Sequence, residues 1–423
     1  MSQILITLAV SLFAGLLMSR VAKKVGFPAV TGYLLAGLVL GPFCIGAIGI
    51  DGLGFVSLDN VKSFSIISQF ALGIIAFTIG NEFRLKDLRS MGRQAVIVGI
   101  FEAVGTTVFV DVVLIIFHFI RPDIMSLSSA ITLGAIAAAT APAATIMVVR
   151  QYKAEGPLTK LLLMVVALDD AVGLILFAIS FGVATALESG EVNVIGIVVE
   201  PLLELVLSVA LGAMTGVVFT LLERFFHSRS KRLALACATV FITVGIALLK
   251  FRIGRVNCSF SLLLTCMISG TFFCNTCEAS EELMGRFERW SEPVKILFFV
   301  LSGAELDLKI LSNPIVLIVG FVYIIMRSVG KVSGAYLGCT VSKCSSTIKK
   351  HFGMTLIPQA GVALGMTLTA DNLQGGSMIR NVVLFGVLVY ELIGPTLTKK
   401  SLMSAGEIKV EGKRSARQLN ASK

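Results

Sequence analysis

The chain has 423 residues, of which 56% are hydrophobic and only 15% charged, with a mean hydropathy of +0.90 and a formal charge of +10. Soluble domains carry about a quarter charged residues, so the balance excludes a soluble fold and describes an integral membrane protein. The surplus base falls in short breaks between apolar runs and in a basic C-terminal segment, which fits membrane topology better than a nucleic-acid partner.

A hydrocarbon core about 30 Å thick takes roughly 20 apolar residues per helix. The runs are too long and too uniformly apolar for barrel strands, so an all-α polytopic fold is expected. About thirteen spans are predicted, in order 3–19, 28–49, 63–80, 95–118, 126–149, 160–187, 194–222, 233–249, 256–274, 294–310, 313–339, 352–372 and 378–398. The first lacks a basic leader and a small-residue cleavage site and reads as a retained helix. An odd count puts the termini on opposite sides. Loops after odd-numbered spans hold more than twice the Lys and Arg of the others, which predicts an outside N-terminus, a cytoplasmic C-terminus and residence in the cell membrane.

Residues 1–398 therefore read as a membrane transport domain, and 399–423 as a basic, disordered cytoplasmic tail able to touch anionic lipid. Within the largest internal break, 275–293, Leu283, Met284, Phe287 and Trp290 recur at helical spacing, which predicts a short helix lying on the inner interface. Cys274 and Cys277 form a lone C-x-x-C with no second pair nearby, so neither zinc nor redox chemistry, nor any other cofactor, is expected.

Two spans are interrupted in corresponding places. The fifth carries "AAATAPAATIM", with Thr140 and Pro142 at its middle, and the twelfth carries "LIPQAGVALG", with Pro358, Gln359 and Gly361. Proline removes a helical hydrogen bond and clashes one turn back, and backbone groups so freed in a bilayer need a partner in protein, water or an ion. The next span after each break holds acids, Asp169 and Asp170 in the sixth and Glu391 in the thirteenth. The offset of seven spans is odd, so the halves cross the membrane in opposite directions. Inverted repeats with matching broken helices point to a transporter's midplane site.

Asp169 and Asp170 stand in the apolar run "VALDDAVGL". Acids at that depth are a functional signal, although a structural salt bridge would also account for one of them. Neighbouring helical residues point about 100° apart, so one carboxylate can face a cavity and the other a partner helix. Two carboxylates so close cannot both ionise cheaply and should titrate as a unit. Such a site takes protons or a small hard cation, Na⁺ or Li⁺, with Thr140 and the carbonyls freed at Pro142 completing the shell. Lys331 and Arg327, four apart in "IIMRSVGKVSGAYLG", supply the buried base. Lys331, between Gly330 and Gly334 where helices can approach closely, is the expected aspartate partner, and Arg327 the alternative. Glu102, Asp111, Glu305, Asp307 and Glu391 are further acids at depth, with Glu102 and Glu391 the stronger accessory candidates.

The set "VGFPAVTGYLLAGLVLGP", "LGIIAFTIGNEFRLKDL", "TAPAATIMVVR", "ALDDAVGLILF", "FFVLSGAELDL", "RSVGKVSGAYLG", "PQAGVALG" and "YELIGP" resembles the monovalent cation:proton antiporter-2 family along nearly the whole chain. The resemblance implies a homodimer, a scaffold beside a six-helix core with two crossed, discontinuous helices, and an elevator-like movement of that core. It also implies that Asp170 is the main ion ligand, Asp169 the acid paired with Lys331, and Thr140 part of the site. Asp-Asp in place of Asn-Asp points to electrogenic exchange. Arg327 is a feature of electroneutral relatives.

The expectation is thus an antiporter exchanging Na⁺ or Li⁺ for H⁺ across a lipid bilayer. K⁺/H⁺ exchange and Na⁺-coupled uptake of an organic anion are rivals, and a non-transporting membrane sensor is the rival from another class. An intramembrane aspartyl protease needs facing carboxylates from separate helices, which consecutive residues do not provide.

Overall fold

The structure is a computed structural model that describes residues 2–50, 52–81, 85–189, 199–253, 256–306, 308, 312–370 and 373–408. Its helices are α1 Ser2–Val25, α2 Ala29–Leu40, α3 Leu58–Lys62, α4 Ser65–Gly80, α5 Leu85–Ile120, α6 Leu127–Ala138, α7 Pro142–Gln151, α8 Pro157–Ser189, α9 Glu200–Glu223 and α10 Arg229–Ala247. A two-stranded hairpin follows, β1 Phe251–Ile253 and β2 Val256–Cys258, and then α11 Leu262–Thr276, α12 Ser280–Ala304, α13 Pro314–Val341, α14 Ser346–His351, α15 Gly361–Ala370 and α16 Gly376–Ser404. Among the described residues, nine helical segments are long and apolar enough to cross a bilayer. The nine include the broken fifth span as Leu127–Gln151; shorter apolar helices occupy the third and ninth predicted spans, α12 the tenth and the broken α15 the twelfth, so each predicted span has a helical counterpart.

Local sequence sets the ends. Ser126 caps α6 by accepting from Ser129 N (3.1 Å), and Asn313 caps α13 by accepting from Ile315 N (3.1 Å), with Pro314 at the first helical position. Both arrangements satisfy backbone donors that a helix start leaves open.

Three boundaries differ from expectation. The segment around 283–290 is not an interfacial helix. It is the first half of α12, which runs unbroken into the tenth span and carries Pro293 inside it. Leu283, Met284 and Phe287 are buried in one cluster with Phe77 and Phe273, while Trp290 is exposed. An apolar stripe at helical spacing looks the same whether lipid or protein covers it. The ninth span begins as β2, paired with β1 just before it, and its helix starts only at Leu262. The last helix continues through Ser404, so the segment beyond 398 opens as ordered helix. Residues 409–423 of the expected tail lie outside the described residues, as do Asp307 and 190–198, where the seventh span was expected to begin.

The repeat relates α5 to α13, α6–α7 to α15 with the short 3₁₀ turn Gly353–Leu356 before it, and α8 to α16. The first pair crosses closely through glycine. A Cβ on Gly334 would stand 2.7 Å from Phe101 O, and one on Gly330 would stand 2.7 Å from Thr106 Cα. Backbones can meet at that distance only where a side chain is missing. The α8–α16 pair is tied reciprocally. Near the end of α8, Glu188 accepts from Gln374 N (3.0 Å to each carboxylate oxygen) and from the Ser128 hydroxyl. Beyond the end of α16, Glu407 accepts from Leu158 N (2.7 Å), Thr159 N (2.7 Å) and the Thr159 hydroxyl (2.6 Å). Each mate ends in a glutamate that holds the entry to the other, and the Glu407 contact also places negative charge at the positive end of α8.

Candidate functional site

The two broken helices meet. Pro142 opens α7 and cannot extend α6, and the residue before it, Ala141, is pushed into extended backbone (φ −86°, ψ 104°) because proline disfavours helical geometry one residue upstream. Ala141 N donates to Pro358 O (2.8 Å), which joins the first break to the second.

The last carbonyls of an α-helix lack the regular helical donor, and at the end of α6 four carbonyls receive side-chain donors, Ile136 O in addition to its turn bond from Ala139 N (3.2 Å). Gln359 Nε2 donates to Ile136 O (3.1 Å), Arg327 Nε to Ala137 O (2.9 Å), Lys331 Nζ to Ala138 O (2.5 Å) and Arg327 Nη2 to Ala139 O (2.7 Å). Arg327 Nη1 also donates to Ile357 O (2.7 Å) at the second break, and its guanidinium lies 4.5 Å from the centre of the Tyr390 ring. Two cations at a helix C-terminus favour its dipole, which explains how bases are tolerated here at full burial.

This arrangement corrects two expectations. The carbonyls freed at Pro142 were expected to be available to a bound ion, but in this state protein side chains hold them. Arg327 was the alternative aspartate partner. Its three donating nitrogens instead bond to carbonyls from both breaks, so it joins the crossing, and among the described residues the ion pairs with Glu102 and Asp169 are made by Lys331.

Lys331 is the hub of the ion cluster. Its ammonium donates to the Thr140 hydroxyl (2.6 Å) and to Asp169 Oδ2 (3.2 Å), and it is ion-paired with Glu102. Glu102, Asp169, Lys331 and Arg327 are fully buried and Thr140 nearly so. They come from α5, α8, α13 and the first break, so the cluster exists only where those elements cross. Glu102 Oε1 and Oε2 and Asp169 Oδ1 have no hydrogen-bond partner among the described residues, although Oε1 is the atom ion-paired with Lys331, which leaves carboxylate capacity open at the cluster. The side chain of Asp170 lies outside the described residues, although its backbone continues α8.

Of the accessory candidates, Glu102 belongs to the cluster. Glu391 is buried on α16 with Oε2 unpartnered, and no hydrogen bond or ion pair among the described residues joins it to Lys331. Sequence reasoning missed Tyr323, whose hydroxyl accepts from Gln359 Nε2 (2.9 Å) and holds that amide against the first break. The signal was present, since Tyr323, Arg327 and Lys331 follow at intervals of four on α13 and share a face.

Two discontinuous helices crossing at a buried ion cluster, within inverted repeats, define a secondary transporter of the alternating-access type. The chain belongs to the sodium/hydrogen exchanger transmembrane family, whose pattern matches residues 8–402. It is 25% identical over 397 residues to the high-affinity Na(+)/H(+) antiporter NhaS3 of Synechocystis sp., a match covering 85% of this chain and 81% of that protein. A shorter match of 79 residues, 33% identical, links 19% of the chain to 12% of the K(+) efflux antiporter 5 of Arabidopsis thaliana. In fold it is similar to the sodium proton antiporter MjNhaP1 of Methanocaldococcus jannaschii at pH 8, with a TM-score of 0.67 and 20% identity, covering 96% of this chain and 99% of that one. A second structure of that antiporter gives a TM-score of 0.70 at 18% identity.

Proposed function

We propose that this protein is a Na⁺ (or Li⁺)/H⁺ antiporter working by alternating access, with Asp170 and Asp169 as the shared ligands of proton and cation. The observation that carries the reading is the buried Lys331–Asp169 pair beside Thr140 at the crossing of the two breaks. Family membership and the similarity to NhaS3 support the exchange chemistry.

In this mechanism Lys331 balances the ionised Asp169 when the site holds neither cation nor proton. A dehydrated Na⁺ seeks several oxygens, which Asp170, Asp169 and the Thr140 hydroxyl would supply. Entry of the cation into the proton-loaded site, where both carboxyls are protonated, releases those two protons, while Lys331 keeps its own. Protonation on the other face reverses the exchange. Because one set of oxygens serves both species, they compete, and competition couples the two flows.

We further assign the elevator-like movement to a core of α5, α6–α7, α8, α13, α15 and α16, the homodimer interface to the remaining helices, and the C-terminus to the cytoplasm. The Asp-Asp pair favours two protons per cation. The short match to a K(+) efflux antiporter supports a second reading, K⁺/H⁺ exchange on the same site.

The test uses purified protein in proteoliposomes carrying a pH gradient. Proton release is recorded on adding Na⁺, Li⁺ or K⁺, with and without a valinomycin clamp, beside Asp170→Asn. Release driven by Na⁺ or Li⁺ that responds to voltage and disappears in the variant is the expected result. Voltage independence would replace electrogenic with electroneutral exchange, and response to K⁺ alone would establish the second reading. No cation-dependent release, in vesicles where a known antiporter works, would overturn the proposal.

A further inference from the structure

Lys331 has more acceptors than protons. An ammonium donates three hydrogen bonds, and four oxygens from four residues surround this one, those of Ala138 O, Thr140 Oγ1, Asp169 Oδ2 and Glu102 Oε1. Ala138 O, Thr140 Oγ1 and Asp169 Oδ2 accept its three hydrogen bonds, and Glu102 Oε1 is ion-paired with it beside them. The fourth permits one partner to leave without exposing an unsatisfied donor in a fully buried site.

The two partners that carry charge are not equivalent in position. Asp169 precedes Asp170 on α8, so it moves with whatever occupies the aspartate pair. Glu102 lies on α5 at the glycine crossing, where a Cβ on Gly334 would stand 3.0 Å from Glu102 Cα. The α5 backbone is therefore clamped against the helix that carries Lys331, and Glu102 stays beside that lysine whatever occurs on α8.

We propose that Glu102 is a positioning residue for the exchange. It is the standing counter-charge that keeps Lys331 cationic and fully bonded when a cation takes Asp169. The inference rests on the exchanger reading for its kinetic consequence and not for its structural one. With Asp169 occupied, Ala138 O, Thr140 Oγ1 and Glu102 Oε1 still supply three acceptors and one negative charge, so the ammonium need not move into lipid or give up its proton. A buried charge stripped of its only charged partner is strongly destabilised. Without Glu102, that penalty falls on every cation that enters. Glu102 thereby sets cation affinity without touching the cation.

The experiment has two arms, both on the full-length protein. In proteoliposomes, Glu102→Gln is expected to raise the KM for Na⁺ about tenfold, the size of one charge-assisted bond, with a smaller change in maximal rate. Glu102→Asp should restore much of the loss. A fall in maximal rate alone, with KM unchanged, would reduce Glu102 to packing and overturn the kinetic proposal. The second arm needs no transport. Melting temperatures are measured in detergent for Glu102→Gln, Asp169→Asn and the double variant. Sharing of one lysine predicts that each single change is tolerated and that the double loss exceeds the sum, or prevents folding, because Lys331 is then buried without a counter-charge. Strict additivity would overturn the sharing of Lys331 even if exchange is confirmed. If no variant and no wild-type sample exchanges cations while the melting data are non-additive, the exchanger reading fails and the shared lysine stands.

Discussion

At the scale of residues, Lys331 is the group on which the buried charges of Glu102 and Asp169 depend. Remove its charge by Lys331→Gln and Glu102 and Asp169 face each other without a cation between them. Breaking a buried ion pair by deleting one partner costs about 3–5 kcal/mol, so the variant should melt well below wild type, and adding Glu102→Gln should recover part of that loss. An unchanged melting temperature would mean that the cluster is solvated and that the ion pairs contribute little. Asp169 and Lys331 were legible as buried charges because a charge in an apolar run is costly wherever it points. The assignment of Arg327 was not. A guanidinium four residues from a lysine could face a carboxylate or a carbonyl, and only the end of α6 beside it shows that carbonyls receive it.

At the scale of elements, the α5–α13 crossing sets the distance between Glu102 and Lys331. Gly334→Val would drive a side chain into Phe101 O, 2.7 Å from its Cβ, and overpacking of this kind costs about 1–3 kcal/mol. The expected outcome is a less stable protein with exchange reduced more than stability alone accounts for, measured as initial rate per folded protein. Gly245→Ala on α10 is the matched control, since nothing lies within 4 Å of its added Cβ, and it should be neutral or stabilising by up to about 1 kcal/mol. Equal effects from both substitutions would remove any special role from the crossing. The breaks themselves were visible in sequence, because proline acts locally. Sequence could not show that Ala141 and Pro358 bond to each other, nor that Glu188 and Glu407 bind the entries of opposite helices, since those partners stand scores to hundreds of residues apart.

At the scale of the whole molecule, the proposed core is tied to the remaining helices at the end of α7. Arg150 is ion-paired with Glu288 on α12 and donates to Thr78 O on α4 (3.3 Å), and Gln151 Oε1 accepts from Ala29 N on α2 (2.7 Å). Lys399 on α16 reaches Gly26 O (2.5 Å) before α2. An elevator-like movement would have to break such ties once per cycle. Glu288→Gln weakens a part-exposed pair worth up to about 1 kcal/mol, so turnover should rise by about two- to fivefold with little change in KM. An unaltered rate would place the slow step elsewhere.

The sequence by itself determined the solvent, the succession of apolar helices, the two breaks and the acids and bases in apolar runs, because lipid penalises every polar atom one residue at a time. Tertiary structure alone decided which base meets which acid, that Glu102 joins the site, that the freed carbonyls are held by side chains, and that α12 is a single helix packed against protein. Those outcomes depend on which helices cross and at what distance, and long-range packing leaves no mark in the local pattern of any one of them.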